Sequence, residues 1–176
     1  MILCSSFSKT IAPGYRIGWL LGGKHTDAIR RAKMMTSIAL PSVSAVGIEE
    51  FLESGGFDRT LRAARRAYRT SMEQVSAAIL RYFPAGTKVS QPQGGIVLWV
   101  EFPESLDSVQ LYHASLSKGI SIAPGVIFSS QGRYRNFVRI RSAEYTPVID
   151  AALVTVGSIA KALTETSAPV LAASGI

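Results

Sequence analysis

Fourteen residues near the start of the chain, Ser5-Ser6-Phe7-Ser8-Lys9-Thr10-Ile11-Ala12-Pro13-Gly14-Tyr15-Arg16-Ile17-Gly18, set one lysine behind three serines, then a Pro-Gly turn, then one arginine. A lysine amine condenses with an aldehyde to an imine, and short hydroxyl side chains with a guanidinium fork hold a phosphate. Arginine suits that role because its planar fork donates two parallel hydrogen bonds to phosphate oxygens. A group carrying both an aldehyde and a phosphate, as pyridoxal phosphate does, needs this set. Taken singly, Lys9 or Arg16 would be an ordinary solvated charge; the ordered set is what carries the chemistry.

A second group sits in Phe137-Val138-Arg139-Ile140-Arg141. Strand alternation sends Arg139 and Arg141 to one face and Val138 and Ile140 to the other. Two arginines on one strand face are costly to bury without anionic partners. Pro92-Gln93-Gly94-Gly95, four residues before Trp99, reads by itself as a glycine turn. Cys4 is the one cysteine and excludes an internal disulfide. With no histidine placed to activate it, Cys4 is expected as a small buried apolar residue at a strand end. His25 and His113 are the only histidines, and no cluster has metal-ligand spacing.

The elements that must position these groups follow from periodicity and punctuation. Ile2-Leu3-Cys4 reads as the tail of a buried strand, and Ile17 to Leu21 as a second apolar strand closed by Gly22-Gly23. A helix is expected from the Thr26-Asp27 cap through Ile29, Lys33, Met34 and Ile38, with Met34 and Met35 in the core. Pro41 interrupts it, Ser42 caps the next helix through Val43, Val46, Ile48, Phe51 and Leu52, and Ser54-Gly55-Gly56 stops that one. Leu61, Ala64, Tyr68, Met72, Val75, Ile79 and Tyr82 recur at helical spacing over 57–83. Arg59, Arg62, Arg65, Arg66 and Arg69 fall on the other faces. Such a basic face could track a phosphate backbone, but without a DNA-binding motif it reads as a solvated face.

Further on, 87–90 is a short strand and 96–102 a nearly continuous apolar strand expected to be covered on both sides. A helix over 106–118 ends at Gly119, and 120–122 is a short strand before Ala123-Pro124-Gly125-Val126-Ile127-Phe128. Thr146-Pro147 opens a last helix through Ile149, Leu153, Val156, Ala160 and Leu163. From about Thr166 the Ala/Ser-rich tail is expected to be poorly ordered.

Composition bounds the rest. The chain has 176 residues, 47% hydrophobic and 18% charged, enough for one domain or two small ones. No run reaches the eighteen or more apolar residues of a membrane span, and the start lacks a signal peptide's basic and apolar regions. The single cysteine fits a reducing cytoplasm. A net charge of +7 is compatible with an anionic ligand or nucleic acid and identifies neither.

The lysine stretch closely resembles the Ser-x-Ser-Lys-Thr-x-x-Pro-Gly-x-Arg-x-Gly signature of fold-type I, aminotransferase-like pyridoxal phosphate proteins. That resemblance implies an α/β (α+β) fold in which Lys9 forms the imine with pyridoxal 5'-phosphate and Ser6, Ser8 and Arg16 hold the phosphate. It implies further that Arg139, in an Asn-x-x-Arg-Ile pattern, grips the α-carboxylate of an amino acid, and that Gly95 passes close to the substrate. Arg141 departs from the common pattern, where a small or polar residue follows; it would add affinity for a second acid group or point outward.

The family has a long N-terminal half before this lysine, so the chain is expected to be the C-terminal portion of the fold. Residues 1–55 would then be the end of the large domain, 56–165 a complete small domain, and 166–176 a tail. Two parents fit. One is a stand-alone aminotransferase. The other is a regulator of the MocR type in the GntR superfamily, where a DNA-binding winged helix precedes the aminotransferase-like domain; the closing segment 123–139 and the runs 54–62 and 83–87 resemble these more closely. Family members are usually homodimers, with an amino acid or related small molecule as ligand and DNA bound only through the other domain. A fragment lacking half of the site is expected to be inactive by itself.

Overall fold

In a computed structural model, residues 1–166 are described apart from Ile38 and Leu40. The chain divides into two compact units, with the boundary between Arg65 and Arg66.

The first unit opens with an antiparallel hairpin. Strand β1 (Leu3–Ser6) pairs with β2 (Gly18–Leu21), Leu3 opposite Leu21 and Ser6 opposite Gly18. Helix α1 (Thr26–Thr36) and helix α2 (Ser42–Glu53) follow, and then α3 (Gly56–Tyr82), whose first turns belong to this unit. Phe7 and Phe57 meet edge to face at 6.2 Å. Both strands are exposed at every position, so the buried strand expected at Ile2-Leu3-Cys4 is corrected, and Cys4 with it. Two strands give each other one paired edge and cover neither face. Met34 and Met35 also lie in solvent, at 72% and 84% exposure, where a core position was expected. Among the described residues the core here amounts to Ile17 and Ile48.

The caps differ from the sequence reading as well. Thr26 is already helical and donates its hydroxyl to the carbonyl of Gly23, while His25 holds the cap position. Pro41, not Ser42, precedes α2. Gly55 ends that helix in the left-handed region, φ +69, as a glycine stop does.

The second unit is a four-stranded antiparallel sheet backed by helices. Strands β3 (Lys88–Val89), β4 (Val97–Glu101), β5 (Ala123–Pro124) and β6 (Phe137–Arg141) stand in the order β3-β4-β6-β5. The fifth strand of the chain, third of this sheet, was expected at 120–122 and falls instead on Ala123–Pro124, where the ladder to Arg139 and Val138 forms. Strand β4 alternates: Leu98 and Val100 are fully buried, while Val97, Trp99 and Glu101 keep some exposure. The expected cover on both faces is therefore present on one.

On the covered face, Leu98, Val100, Val138 and Ile140 pack with Val75, Ile79 and Phe83 of α3 and its end, Leu111 of α4 (Ser108–Leu116), and Leu153 and Val156 of α5 (Pro147–Thr166). Burying each such side chain contributes roughly 1.5–3 kcal/mol. Helix α5 is twenty residues long and apolar enough to cross a membrane by length and composition. Its Leu153, Val156, Gly157 and Ala160 are buried in this core, while Val148 and Val154 are exposed. Thr146 opens it as expected, its Oγ1 accepting from the N–H of Ile149. Ile38 and the tail beyond Thr166 lie outside the described residues.

Candidate functional site

The lysine stretch forms the mouth of the β1–β2 hairpin. Ser6 is the last residue of β1, opposite Gly18, and the Phe7 N–H donates to the carbonyl of Ile17 at 3.0 Å. Ser6 and Ser8 thus enter the loop on one side while Arg16 leaves it on the other. The loop folds on itself: Thr10 and Ile11 N–H groups donate to the Phe7 carbonyl at 3.2 and 2.8 Å, and a 3-10 turn follows at Pro13–Tyr15. Proline opens that turn, as its fixed φ favours.

Three details tie local backbone to the candidate ligands. Ser6 Oγ accepts the Ser8 N–H at 3.2 Å. Arg16 closes the turn at φ +54, a left-handed conformation that a non-glycine residue adopts rarely and at some cost. A Cβ at Gly18 would stand 2.8 Å from the Ser5 carbonyl oxygen, so only glycine lets the strands close there. Lys9 is exposed and, like Arg16, makes no ion pair among the described residues. A neighbouring groove of about 530 Å³, lined by Cys4, Trp19, Ile29, Arg30 and Lys33 among others, includes none of Ser6, Ser8, Lys9 and Arg16. An amine, two hydroxyls and a guanidinium at one loop are the donor set that pyridoxal phosphate calls for.

Arg139 and Gly95 belong to the second unit. Arg139 and Arg141 share the open face of β6, as alternation predicts, with Val138 and Ile140 buried behind them. Trp99 stands opposite Arg139 and Val97 opposite Arg141. The Arg139 guanidinium lies over the Phe128 ring, 4.7 Å from its centre. Gly95 is exposed at φ +95 in the loop before β4, and a Cβ there would meet nothing within 4 Å. Backbone conformation, not crowding, is what requires glycine at this position.

The sequence reading did not assign the aromatic platform beneath Arg139. Trp99 packs against Phe128, Tyr134 and Phe137, each with ring centres 5.5 Å apart. Phe128 reaches it because a 3-10 turn over Gly125–Phe128 follows β5 directly. Tyr134 reaches it with its own backbone in the left-handed region, φ +64. The loop bearing Tyr134 is pinned on both sides: Arg135 pairs with Asp107, its carbonyl accepts the Ser108 N–H, and Asn136 Nδ2 donates to the Phe102 carbonyl at 2.6 Å. Burial alone would raise the Asp107 carboxyl, but hydrogen bonds from the Val109 N–H, Arg135 and the Gln110 N–H outweigh it and hold the group below its ordinary value. The Pro-Gly-x-x-Phe spacing was the available signal for Phe128; nothing local marks Tyr134.

Residues 1–162 match the family described as aminotransferase class I and II. The chain belongs to that family. Within it, the chain is 39% identical over 140 residues to the HTH-type transcriptional regulator YdcR of Escherichia coli, covering 80% of this chain and 30% of YdcR. It is 28% identical over 146 residues to the 2-aminoadipate transaminase of Thermus thermophilus, covering 81% and 36%. Among solved structures, LysN, an alpha-aminoadipate aminotransferase of Thermus thermophilus complexed with N-(5'-phosphopyridoxyl)-L-leucine, superposes with a TM-score of 0.86. That match is 26% identical over 94% of this chain and 43% of LysN. The mixed helix-and-sheet architecture matches a portion of the fold-type I aminotransferase fold, and the chain spans about a third of the length of the curated relatives it matches.

Proposed function

We propose that this chain is the pyridoxal phosphate-binding, aminotransferase-like portion of a MocR-type regulator, which senses an amino acid or a related small molecule. One observation carries the choice of parent: YdcR at 39% and YjiR at 38% identity are both HTH-type regulators, while the aminotransferases, at 27–29%, stand level with further HTH-type regulators at 28–29%. The second reading, a stand-alone enzyme moving an amino group from an amino acid to a 2-oxo acid, rests on the likeness to LysN and the 2-aminoadipate transaminase. In the regulator, DNA contact belongs to a different domain of the parent, and the parent is a cytoplasmic homodimer.

Four residues at the hairpin mouth would hold the cofactor. Ser6 and Ser8 offer hydroxyls to its phosphate, Arg16 offers two parallel N–H groups, and Lys9 offers the amine that fixes its aldehyde. Bound, pyridoxal phosphate supplies an electron-withdrawing ring that acidifies the Cα proton of an amino acid. Lys9, once free, is the base that removes that proton and returns it. Arg139 holds the carboxylate, and with Phe128 beneath its guanidinium it is restricted to few orientations, so the amino acid is presented in one pose.

The test is an absorbance scan of this chain and of its full-length parent with added pyridoxal phosphate, each beside its Lys9→Ala variant. The visible band of a lysine-bound aldehyde is expected in the parent and lost with Lys9→Ala. A parent without that band would sink the cofactor reading. A gel shift of the parent on DNA upstream of its own gene separates regulator from enzyme: binding is expected, and its absence together with turnover of an amino acid would favour the enzyme.

A further inference from the structure

The arginines of α3 read from sequence as a solvated face, and the structure leaves Arg59, Arg62, Arg65, Arg66 and Arg69 all exposed. At about 100° per residue they fall within an arc of about 120° and run about 15 Å along one continuous helix. The pairs Arg59–Arg62, Arg62–Arg65, Arg62–Arg66, Arg65–Arg69 and Arg66–Arg69 are three or four positions apart, the spacing at which like charges on a helix repel. The only carboxylates of α3, Asp58 and Glu73, lie beyond the two ends of this stripe, and no ion pair reaches any of the five arginines among the described residues. A helix gains nothing from such crowding by itself, and a polyanion lying along it would relieve the repulsion.

Neighbouring positions decide which kind of polyanion fits. Beside the stripe, Thr60, Ala63, Ala67 and Thr70 are exposed and short, so no bulky side chain of α3 stands next to the guanidinium groups. None of the four is aromatic, and a single nucleic-acid strand would need rings on which to stack its bases. None is a large apolar residue able to enter a lipid surface. The apolar stripe of the same helix is already covered: Val75, Ala78 and Ile79 are buried, and Met72 packs against the same core. What remains is contact with regularly spaced phosphates, which arginine makes through paired N–H groups. About 15 Å of a DNA duplex carries about four phosphates on each strand, a number that five guanidinium groups can match.

We infer that the arginine face of α3 is a second DNA contact, which holds the phosphate backbone of a duplex without reading its sequence. The choice of DNA over other duplexes rests on the regulator reading above. Base recognition stays with the other domain of the parent, and α3 adds sequence-independent affinity with a steeper dependence on salt. The contact belongs to α3 alone and asks for no particular arrangement of the two units.

The experiment is a fluorescence anisotropy titration of this chain with a labelled, random-sequence DNA duplex at about 50 and about 200 mM salt. Binding is expected at the lower salt, and four neutralised phosphates would make it about a hundredfold weaker at the higher. Arg62→Gln with Arg66→Gln should weaken binding about tenfold at the lower salt and reduce the salt slope by about two. Arg62→Lys with Arg66→Lys should keep most of the affinity. Lys118→Gln with Lys161→Gln removes the same charge elsewhere and should leave binding within about twofold. Circular dichroism of each variant checks that α3 is intact. No binding at the lower salt, a glutamine pair that binds like the unmodified chain, or an equal loss in the Lys118 and Lys161 pair would overturn the inference. So would tighter binding to duplex RNA, or to vesicles of equimolar phosphatidylserine and phosphatidylcholine, than to the DNA. Failure of the regulator reading shows elsewhere, as a parent that gives no gel shift on its own upstream DNA at about 200 mM salt, where contact by α3 alone is weak.

Discussion

Tyr145 donates its hydroxyl to Oδ1 of Asp150, and Tyr82 reaches Oδ2 of the same carboxylate at 3.5 Å. The hydrogen bond to Asp150, with some burial and the repulsion of a neighbouring negative charge, pushes the Tyr145 phenol up to about 12. The folded state therefore favours the neutral phenol. This contribution to stability is fully present below about pH 10, the ordinary tyrosine value, and is lost as pH rises through about 12. Asp150→Asn should return the Tyr145 titration toward 10 in an ultraviolet phenolate titration; an unchanged midpoint would remove Asp150 as the cause. Asp107 works with the opposite sign. Its carboxyl is held low, so its contribution is present above about pH 4, the ordinary carboxylate value, and is lost as pH falls through the folded value. Asp107→Ala should cost about 1 kcal/mol as a lost helix cap, with a thermal melt at pH 7 as the readout. At this scale the local sequence says much. Ser6, Ser8, Lys9 and Arg16 could be grouped from sequence because one short loop carries all four. The partnerships of Tyr134, of Asp107 with Arg135, and of Tyr82 with Asp150 were not, because each joins residues that only the fold makes neighbours.

The element scale turns on close approaches. Gly157 lies within α5, where alanine would ordinarily be favoured by about 1 kcal/mol. A Cβ there would stand 2.6 Å from the Tyr82 carbonyl oxygen and 2.9 Å from its carbonyl carbon, both backbone atoms at the end of α3. Backbone cannot step aside as a flexible side chain does, and overpacking costs roughly 1–3 kcal/mol. Gly157→Ala is therefore expected to lower the melting temperature, and a rise would show that propensity outweighs the contact. Periodicity located α3 and α5 well because each buries a continuous stripe in one core. It misplaced Met34 and Met35 because a helical pattern reports an apolar face and not whether anything covers it. The strand expected at 120–122 was displaced for a related reason: Ile120 and Ile122 pack at the edge of the core, while the ladder to β6 is made by Ala123 and Pro124.

At the scale of the whole chain, the two units differ in how much they bury. Among the described residues, fourteen hydrophobic side chains form the buried core of the second unit, while the first has Ile17 and Ile48. Local stability follows buried apolar contact, and amides in regions with little of it exchange through small openings. In hydrogen exchange, the amides of β4 and β6 are thus expected to be the slowest in the chain and those of β1 and β2 to exchange orders of magnitude faster. The consequence reaches the candidate residues of each unit: Ser6, Ser8, Lys9 and Arg16 sit on the hairpin with thin support, while Arg139 stands on a sheet with a full core behind it. The backbone around Arg139 should therefore be well ordered in this chain and the hairpin mouth the more mobile of the two. Added pyridoxal phosphate would slow exchange at Phe7 and Ile17 if the hairpin mouth captures it. Equal protection of the hairpin and of β4 without any ligand would contradict this division, and would mean that the exposed strands draw stability from a source other than their own packing.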